Sequence, residues 1–273
     1  MMKRRRPISK GRILFLAVVA AIYVFLLTPM VIVVLAAFNA GEYLTFPPQG
    51  FSLRWFDKFF HSEPFVRAFI FSLRLGFLAT IIAAVIGTAA ALFVVRYAGR
   101  YRDIMRTLVI APLLFPSILT GIALLLYYYA IGMGARTFAG LLIGHVLIVL
   151  PYVFLTVSTS LYNFDKSLEE VSRSLGAGPF RTFWEVTLPL IKGGVISGSV
   201  FAFITSFDQF AVSLLLAAVG ETPLPIQLFD YLRFQFDPTA AAVSTISILM
   251  AVVVVLTTQK FVGLEALYWG SGG

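Results

Sequence analysis

The sequence predicts an all-α membrane protein with six transmembrane helices. Three observations lead there. The chain has 273 residues, of which 59% are hydrophobic and 12% charged, whereas soluble domains average about 25% charged residues. Its mean hydropathy is +0.92. Six apolar stretches, near 13–38, 67–95, 104–131, 138–162, 190–219 and 240–261, are each long enough to cross a hydrocarbon core of about 30 Å.

The elements follow in order. Residues 1–12 form a basic tail carrying Lys3, Arg4, Arg5, Arg6, Lys10 and Arg12. The uncharged run Ile13–Phe38 far exceeds the roughly 7–15 apolar residues of a cleavable signal. It is expected to be a retained first span, kinked at Pro29. In segment 39–66, the cluster Trp55, Phe56, Phe59 and Phe60 predicts an amphipathic helix at the membrane interface. Arg67 and Arg74 can snorkel from the second span, so its start is soft. Pro112 and Pro116 predict that the third span is bent or broken. In segment 220–239, Pro223, Pro225 and Pro238 exclude a helix throughout. Either a re-entrant, capping loop or a plain exposed loop fits there. Residues 263–273, ending Gly270-Ser271-Gly272-Gly273, are expected to be a disordered tail.

Charge placement sets the expected topology. With the N-terminus in the cytoplasm, the cytoplasmic side collects the basic tail, Arg96, Arg100, Arg102 and Arg106, then Lys166, Arg173, Arg181 and Lys192, and finally Lys260. The positive-inside rule then favours both termini in the cytoplasm. The net charge of +8 reads as a topology signal, because no basic face interleaved with aromatics points to nucleic acid.

Catalytic chemistry is not expected. There is no cysteine, hence no disulfide framework and no thiolate metal site. No phosphate-binding P-loop sequence occurs. His61 and His145 are isolated in sequence, and a packed structural role is expected of His145. No catalytic residue, metal ligand or cofactor of the chain's own is predicted.

Two polar features stand out. The loop 163–189 interrupts two apolar spans. Asp165 or Ser167 can cap a short helix with Glu169 and Glu170 in its first turn. Gly176 and Gly178-Pro179 then end it and reverse the chain. Phe180, Phe183, Trp184 and Leu188 are apolar anchors of the kind that fill a partner's groove. The second feature is Asp208, within the fifth predicted span. A carboxylate inside a span costs about 2.5–3.5 kcal/mol on insertion scales, so it faces the protein interior or water. Gln209 would lie about 100° round the helix. Phe207 and Phe210 flank the pair, and an acid among aromatics suits a cation. A structural carboxylate paired with a neighbouring Ser or Thr is the alternative. Gly140-x-x-x-Gly144 and Gly194-x-x-x-Gly198 permit close helix approach.

The spacing Glu170, Gly176, Val186-x-Leu188-Pro189 resembles the EAA loop of binding-protein-dependent ABC importer permeases. That loop reads Glu-Ala-Ala, three residues, Gly, nine residues, a hydrophobic residue, any residue, then Leu-Pro. Val171 and Ser172 replace the two alanines. Pro112, Pro116 and Gly121 in the third span and Ser206-Phe207-Asp208 in the fifth extend the resemblance over most of the chain. Within the family it is most similar to the second permease of spermidine/putrescine systems.

The resemblance implies a type I, MetI-like permease fold over 13–262, multi-pass in a bacterial inner membrane, with 163–189 as a coupling loop. It implies that Glu169, Glu170, Gly176, Ala177, Leu188 and Pro189 meet an ATPase, and that Asp208, Phe207, Gln209 and Phe210 line the path of a small cationic solute. The implied partners are two ATPase subunits that bind ATP and Mg, a second permease in a heterodimer, and a periplasmic binding protein. The chain alone would not be an enzyme. Related permeases for opines or amino acids, aminophosphonates, sulfate or ferric iron share the loop. A gradient-driven transporter through Asp208 would need a second intramembrane charge or an inverted repeat, and neither is evident. A membrane scaffold using 163–189 only for docking is the other alternative.

Overall fold

A computed structural model describes residues 10–133 and 136–262. The basic cluster Lys3–Arg6 and the tail 263–273 lie outside the described residues. Among the described residues the regular secondary structure is helical. Five helices are long and apolar enough to cross a membrane, and a bent helix pair makes a sixth crossing if counted as one. The chain forms two compact units, Met1–Ser62 with Tyr231–Leu249 and Glu63–Asp230 with Met250–Gly273.

In the first unit, α1 (Lys10–Ala37) runs unbroken through Pro29. The amphipathic helix expected in 39–66 is α2 (Arg54–His61), which buries Trp55 and Phe59 and leaves Phe60 exposed. Trp55 packs with Ala36 and Ala37 at the end of α1 and with Ala241 and Ala242 at the start of α12 (Thr239–Val262). Buried Asn39 organises the connecting segment. Its side chain donates to the Tyr43 carbonyl at 3.0 Å and accepts from the Gly41 and Gln49 amides at 3.0 and 2.7 Å. Its carbonyl accepts the Trp55 indole at 2.7 Å.

Lys58 on α2 donates to Asp237 at 2.6 Å and to the Tyr231 hydroxyl at 3.0 Å. Burial works against the charge on Lys58, but its bonds to Asp237 and Tyr231 outweigh that and raise its pKa. Burial would likewise raise Asp237, and its bonds to Lys58, Thr239 and Tyr231 hold it below the ordinary carboxylate value instead.

The second unit is built on three long helices, α3 (Glu63–Arg96), α6 (Phe138–Asn163) and α9 (Leu188–Phe207). Leu75, Ala79 and Ala83 of α3 bury against Leu141, Val149 and Phe154 of α6 and Ala202 of α9. Small residues set the spacing, as they do where lipid supplies no hydrophobic drive between helices. A Cβ on Gly198 would meet Val153 Cα at 2.7 Å, and one on Gly194 would meet the Thr156 carbonyl at 2.7 Å. The second span begins at Glu63, one turn before the expected start, with Arg67 paired to Glu63 and Arg74 lying 5.2 Å over the Phe138 ring.

The third predicted span is two helices, α4 (Arg102–Leu114) and α5 (Ser117–Ala130), crossing at 102°. Pro112 lies inside α4. The break falls at extended Phe115, where Pro116 disfavours helical backbone in the residue before it. The fifth predicted span, 190–219, is not continuous. α9 ends at Phe207 and a short α10 (Ala211–Leu216) follows. Segment 220–239 contains α11 (Leu224–Leu232). Leu224 and Ile226 are buried, and the Leu224 amide donates to Ser72 of α3 at 2.8 Å. Its first half therefore packs back into the unit rather than forming a plain exposed loop.

Candidate functional site

The loop between α6 and α9 is a compact corner of α7 (Ser167–Ser174), α8 (Pro179–Thr182) and one π turn, Phe183–Thr187. Asp165 accepts the Ser167 amide at 2.9 Å. That backbone bond holds its carboxyl below the ordinary range and satisfies the first amide of α7, although the N-cap residue is Lys166 and not Asp165 or Ser167. Gly176 has φ +91°, the left-handed conformation that a side chain strains. Its amide donates to the Arg173 carbonyl at 2.9 Å and the Ala177 amide to the Ser172 carbonyl at 3.1 Å. This pair is a Schellman closure. Pro179 opens α8 at its first turn, where its missing amide hydrogen costs nothing.

The two adjacent glutamates have opposite fates. Glu169 is buried. Its Oε2 lies 3.2 Å from Arg96 Nε, and its Oε1 accepts from Thr187 at 2.9 Å. The Arg96 guanidinium also donates to the Leu161 carbonyl at 3.4 Å and covers the Phe164 ring at 4.8 Å. One buried carboxylate thus ties α7 to the ends of α3 and α6 and to the turn before α9. Glu170, one residue on, is exposed and pairs only locally, with Lys166 at 3.2 Å.

The apolar face of α7 points the wrong way for a self-contained corner. Leu168, Val171 and Leu175 are 46, 55 and 84% exposed, at the i, i+3, i+7 spacing of one helical stripe. Phe180 and Trp184 add 77 and 52% exposed rings, their centroids 6.0 Å apart. Of the expected anchors, Phe180 and Trp184 face outward and Phe183 is half-buried. Leu188 instead packs against the helix core, because the end of the π turn directs it inward with Thr187. Ala177 is half-buried and Pro189 exposed.

At the other feature, Asp208 is the C-terminal cap of α9 and is exposed. It is not on the wall of a continuous helix, so the angular relation expected for Gln209 does not apply. The twenty residues of α9 place Asp208 about 30 Å along the axis from Leu188. A carboxylate at this end of a helix meets the negative pole of the dipole, which is unfavourable. Among the described residues no ion pair with Asp208 is formed. Phe207 is buried against Phe69 and Phe203, at 5.7 and 6.2 Å, so it backs the turn. Gln209 and Phe210 are half-buried, with Phe210 5.1 Å from Phe229.

Comparison with known proteins decides the family. Residues 83–262 match the family described as binding-protein-dependent transport system inner membrane component. The chain belongs to this permease family.

The permease is 34% identical over 231 residues to the putrescine transport system permease protein PotI of Escherichia coli K12, covering 82% of each chain. It is 29% identical over 239 residues to the spermidine/putrescine transport system permease protein PotC of Haemophilus influenzae, covering 87% of this chain and 92% of that one. In fold it is similar to a chain of a bacterial ABC transporter that imports alginate, with TM-score 0.71, 16% identity, and coverage of 96% and 99%. The permease is therefore a multi-pass membrane subunit of an ABC importer with the MetI-like helical fold. Arg96 and Thr187 were not legible as members of its loop corner. Arg96 lies far from the loop in sequence and reads there only as a topology charge.

Proposed function

We propose that this permease forms half of the translocation pathway of a polyamine importer and receives ATP-driven movement through loop 163–189. The observation that carries the loop's role is its inverted polarity. A corner that buries Glu169 and exposes Leu168, Val171, Leu175, Phe180 and Trp184 presents an apolar patch of the kind that marks a protein interface. On this reading the occupant is an ATPase subunit, which supplies the ATP and Mg chemistry. Glu170, Gly176, Ala177 and Pro189 shape the contact, and Leu188 anchors the loop to the core. Both termini and the loop then lie in the cytoplasm.

The complex comprises two ATPase subunits, this permease with a second, different one, and a periplasmic binding protein. The chain itself performs no catalysis. Putrescine or spermidine is the proposed cargo. Similarity to PotI and PotC supports it, as does an exposed carboxylate at Asp208 with no paired cation among the described residues. Gln209 and Phe210 stand beside it in the pathway, with Phe207 behind.

The test is uptake of labelled putrescine by cells lacking other polyamine importers, with the complete complex expressed. Uptake that depends on ATP and falls in Asp208→Asn supports the reading. Putrescine uptake indifferent to the presence of the permease removes it.

A further inference from the structure

The break at Asp208 falls where neither proline nor glycine can cause it. Between Ser199 and Val219 there is neither proline nor glycine, yet the helix stops after Phe207 and restarts at Ala211. Interruptions of a helix arise at proline, glycine, π-bulges, or where a side chain intrudes on the backbone ladder. The sequence removes the first two, and the segment from Leu188 to Leu216 holds no π turn. What remains is a side chain set against the backbone ladder.

His145 of α6 meets the side chains on both sides of the break. The residue is 1% exposed. Its Nδ1 lies 2.8 Å from the Ser206 hydroxyl and its Nε2 3.0 Å from the Ser213 hydroxyl. Those two serines bracket the break. Ser213 gives its only hydroxyl hydrogen to the Gln209 carbonyl at 2.5 Å, a carbonyl in the interrupted segment. Ser213 must then accept from the ring, so Nε2 carries the hydrogen and bare Nδ1 accepts from Ser206. The neutral imidazole thus spans the two sides of the turn and uses both of its nitrogens. Gly144, beside it, lets α10 approach: a Cβ there would meet Leu216 Cδ1 at 2.8 Å.

We propose that His145 is a positioning residue for Asp208: its bridge from Ser206 to Ser213 holds the fifth span broken, so that Asp208 stands exposed at the end of α9. The proposal rests on the reading of Asp208 as a cargo contact. Without the bridge, nothing from α6 holds Ser206 and Ser213 on the two sides of residues 208–210, and the carboxylate turns away. A glutamine at 145 offers an acceptor oxygen and a donor NH2 on one carbon and can keep part of the bridge. A leucine offers neither.

The experiment measures putrescine uptake by the complete importer for His145→Leu, His145→Gln, Asp208→Asn and the double variant His145→Leu/Asp208→Asn. His145→Leu is expected to raise KM several-fold, up to the roughly tenfold expected of Asp208→Asn, with assembly and basal ATP hydrolysis retained, and His145→Gln about threefold or less. The double variant should be no worse than Asp208→Asn alone, since His145 acts through Asp208. Multiplying effects in the double variant, or an unchanged KM in His145→Leu, overturns the proposal. If His145→Leu fails to assemble, Ser213→Ala, which removes one end of the bridge, takes its place in the same cycle: a raised KM that does not multiply with Asp208→Asn supports the bridge, and an unchanged or multiplying KM overturns it. An unchanged KM in Asp208→Asn defeats the underlying reading, and the proposal with it. A raised KM there with none in the His145 variants defeats the positioning role alone.

Discussion

The loop corner and the Asp208 turn handle charge in opposite ways. At the corner, charge is buried and paired: Glu169 and Arg96 hold each other within side-chain exposures of 6 and 12%. At the turn, charge is exposed and unpaired, and the scaffold around it is neutral, an imidazole between two hydroxyls. The difference follows from what each site must leave free. On the proposed reading, the corner can keep its buried carboxylate paired internally, because its outward contact is apolar. On the same reading, a turn that meets a cationic cargo must keep its carboxylate available, so no fixed cation can be used to build it.

The largest expected effect breaks the corner from inside. Arg96→Ala strands the buried Glu169 carboxylate, which costs about 3–5 kcal/mol when one partner of a buried pair is removed. Thermal inactivation of the complex should fall to lower temperature and uptake should be nearly lost. Glu169→Gln, which keeps the Thr187 bond, should do less harm. Equal losses for Glu169→Gln and Glu170→Gln would erase the distinction between the inward and outward glutamates.

Next in size is Gly176→Val. There is space for the side chain, so the harm comes from φ +91° alone, a strain of about 1–2 kcal/mol for a non-glycine residue in a left-handed conformation. The variant should insert in the membrane yet retain less ATPase on purification, and Gly176→Asn should be milder.

At the turn, Asp208→Asn should raise KM for putrescine about tenfold, equivalent to about 1.4 kcal/mol, with ATPase retention unchanged. That split of phenotypes separates the two regions. A loss of ATPase in Asp208→Asn would merge them.

The smallest effect is expected at Lys58 and Asp237. Lys58 is 47% exposed, so Lys58→Met should cost under about 1 kcal/mol. Asp237 has a lowered pKa, so its share is lost only as pH falls through that lowered value. Lys58 has a raised pKa, so its share persists until pH rises through that raised value. The stability gap between wild type and variant should therefore be flat from about pH 5 to 9. A gap that closes within that window would show that this pair does not hold the segment.

Much of the fold was legible because the bilayer enforces long apolar runs, and four of the six predicted spans sit within a few residues of the observed helices. The Phe115-Pro116 break was legible too, since proline carries its own cause. The Asp208 break was not, because it carries no proline or glycine and its serines are tied to His145, far away in sequence. In the loop, Asp165, Gly176 and Pro179 act through local backbone chemistry and could be read directly. The burial of Glu169 depends on Arg96 and Thr187, which only the fold brings together, and the outward stripe of Leu168, Val171 and Leu175 followed from that burial.

The absence of native cysteine allows the central claim to be tested by single-cysteine crosslinking in the assembled importer. Val171→Cys should crosslink efficiently to the ATPase subunit, while Thr187→Cys, on the buried side of the same corner at 3% exposure, should not. Crosslinking from Thr187 but not Val171, or from neither, would contradict the account of loop 163–189 as the surface that meets the ATPase.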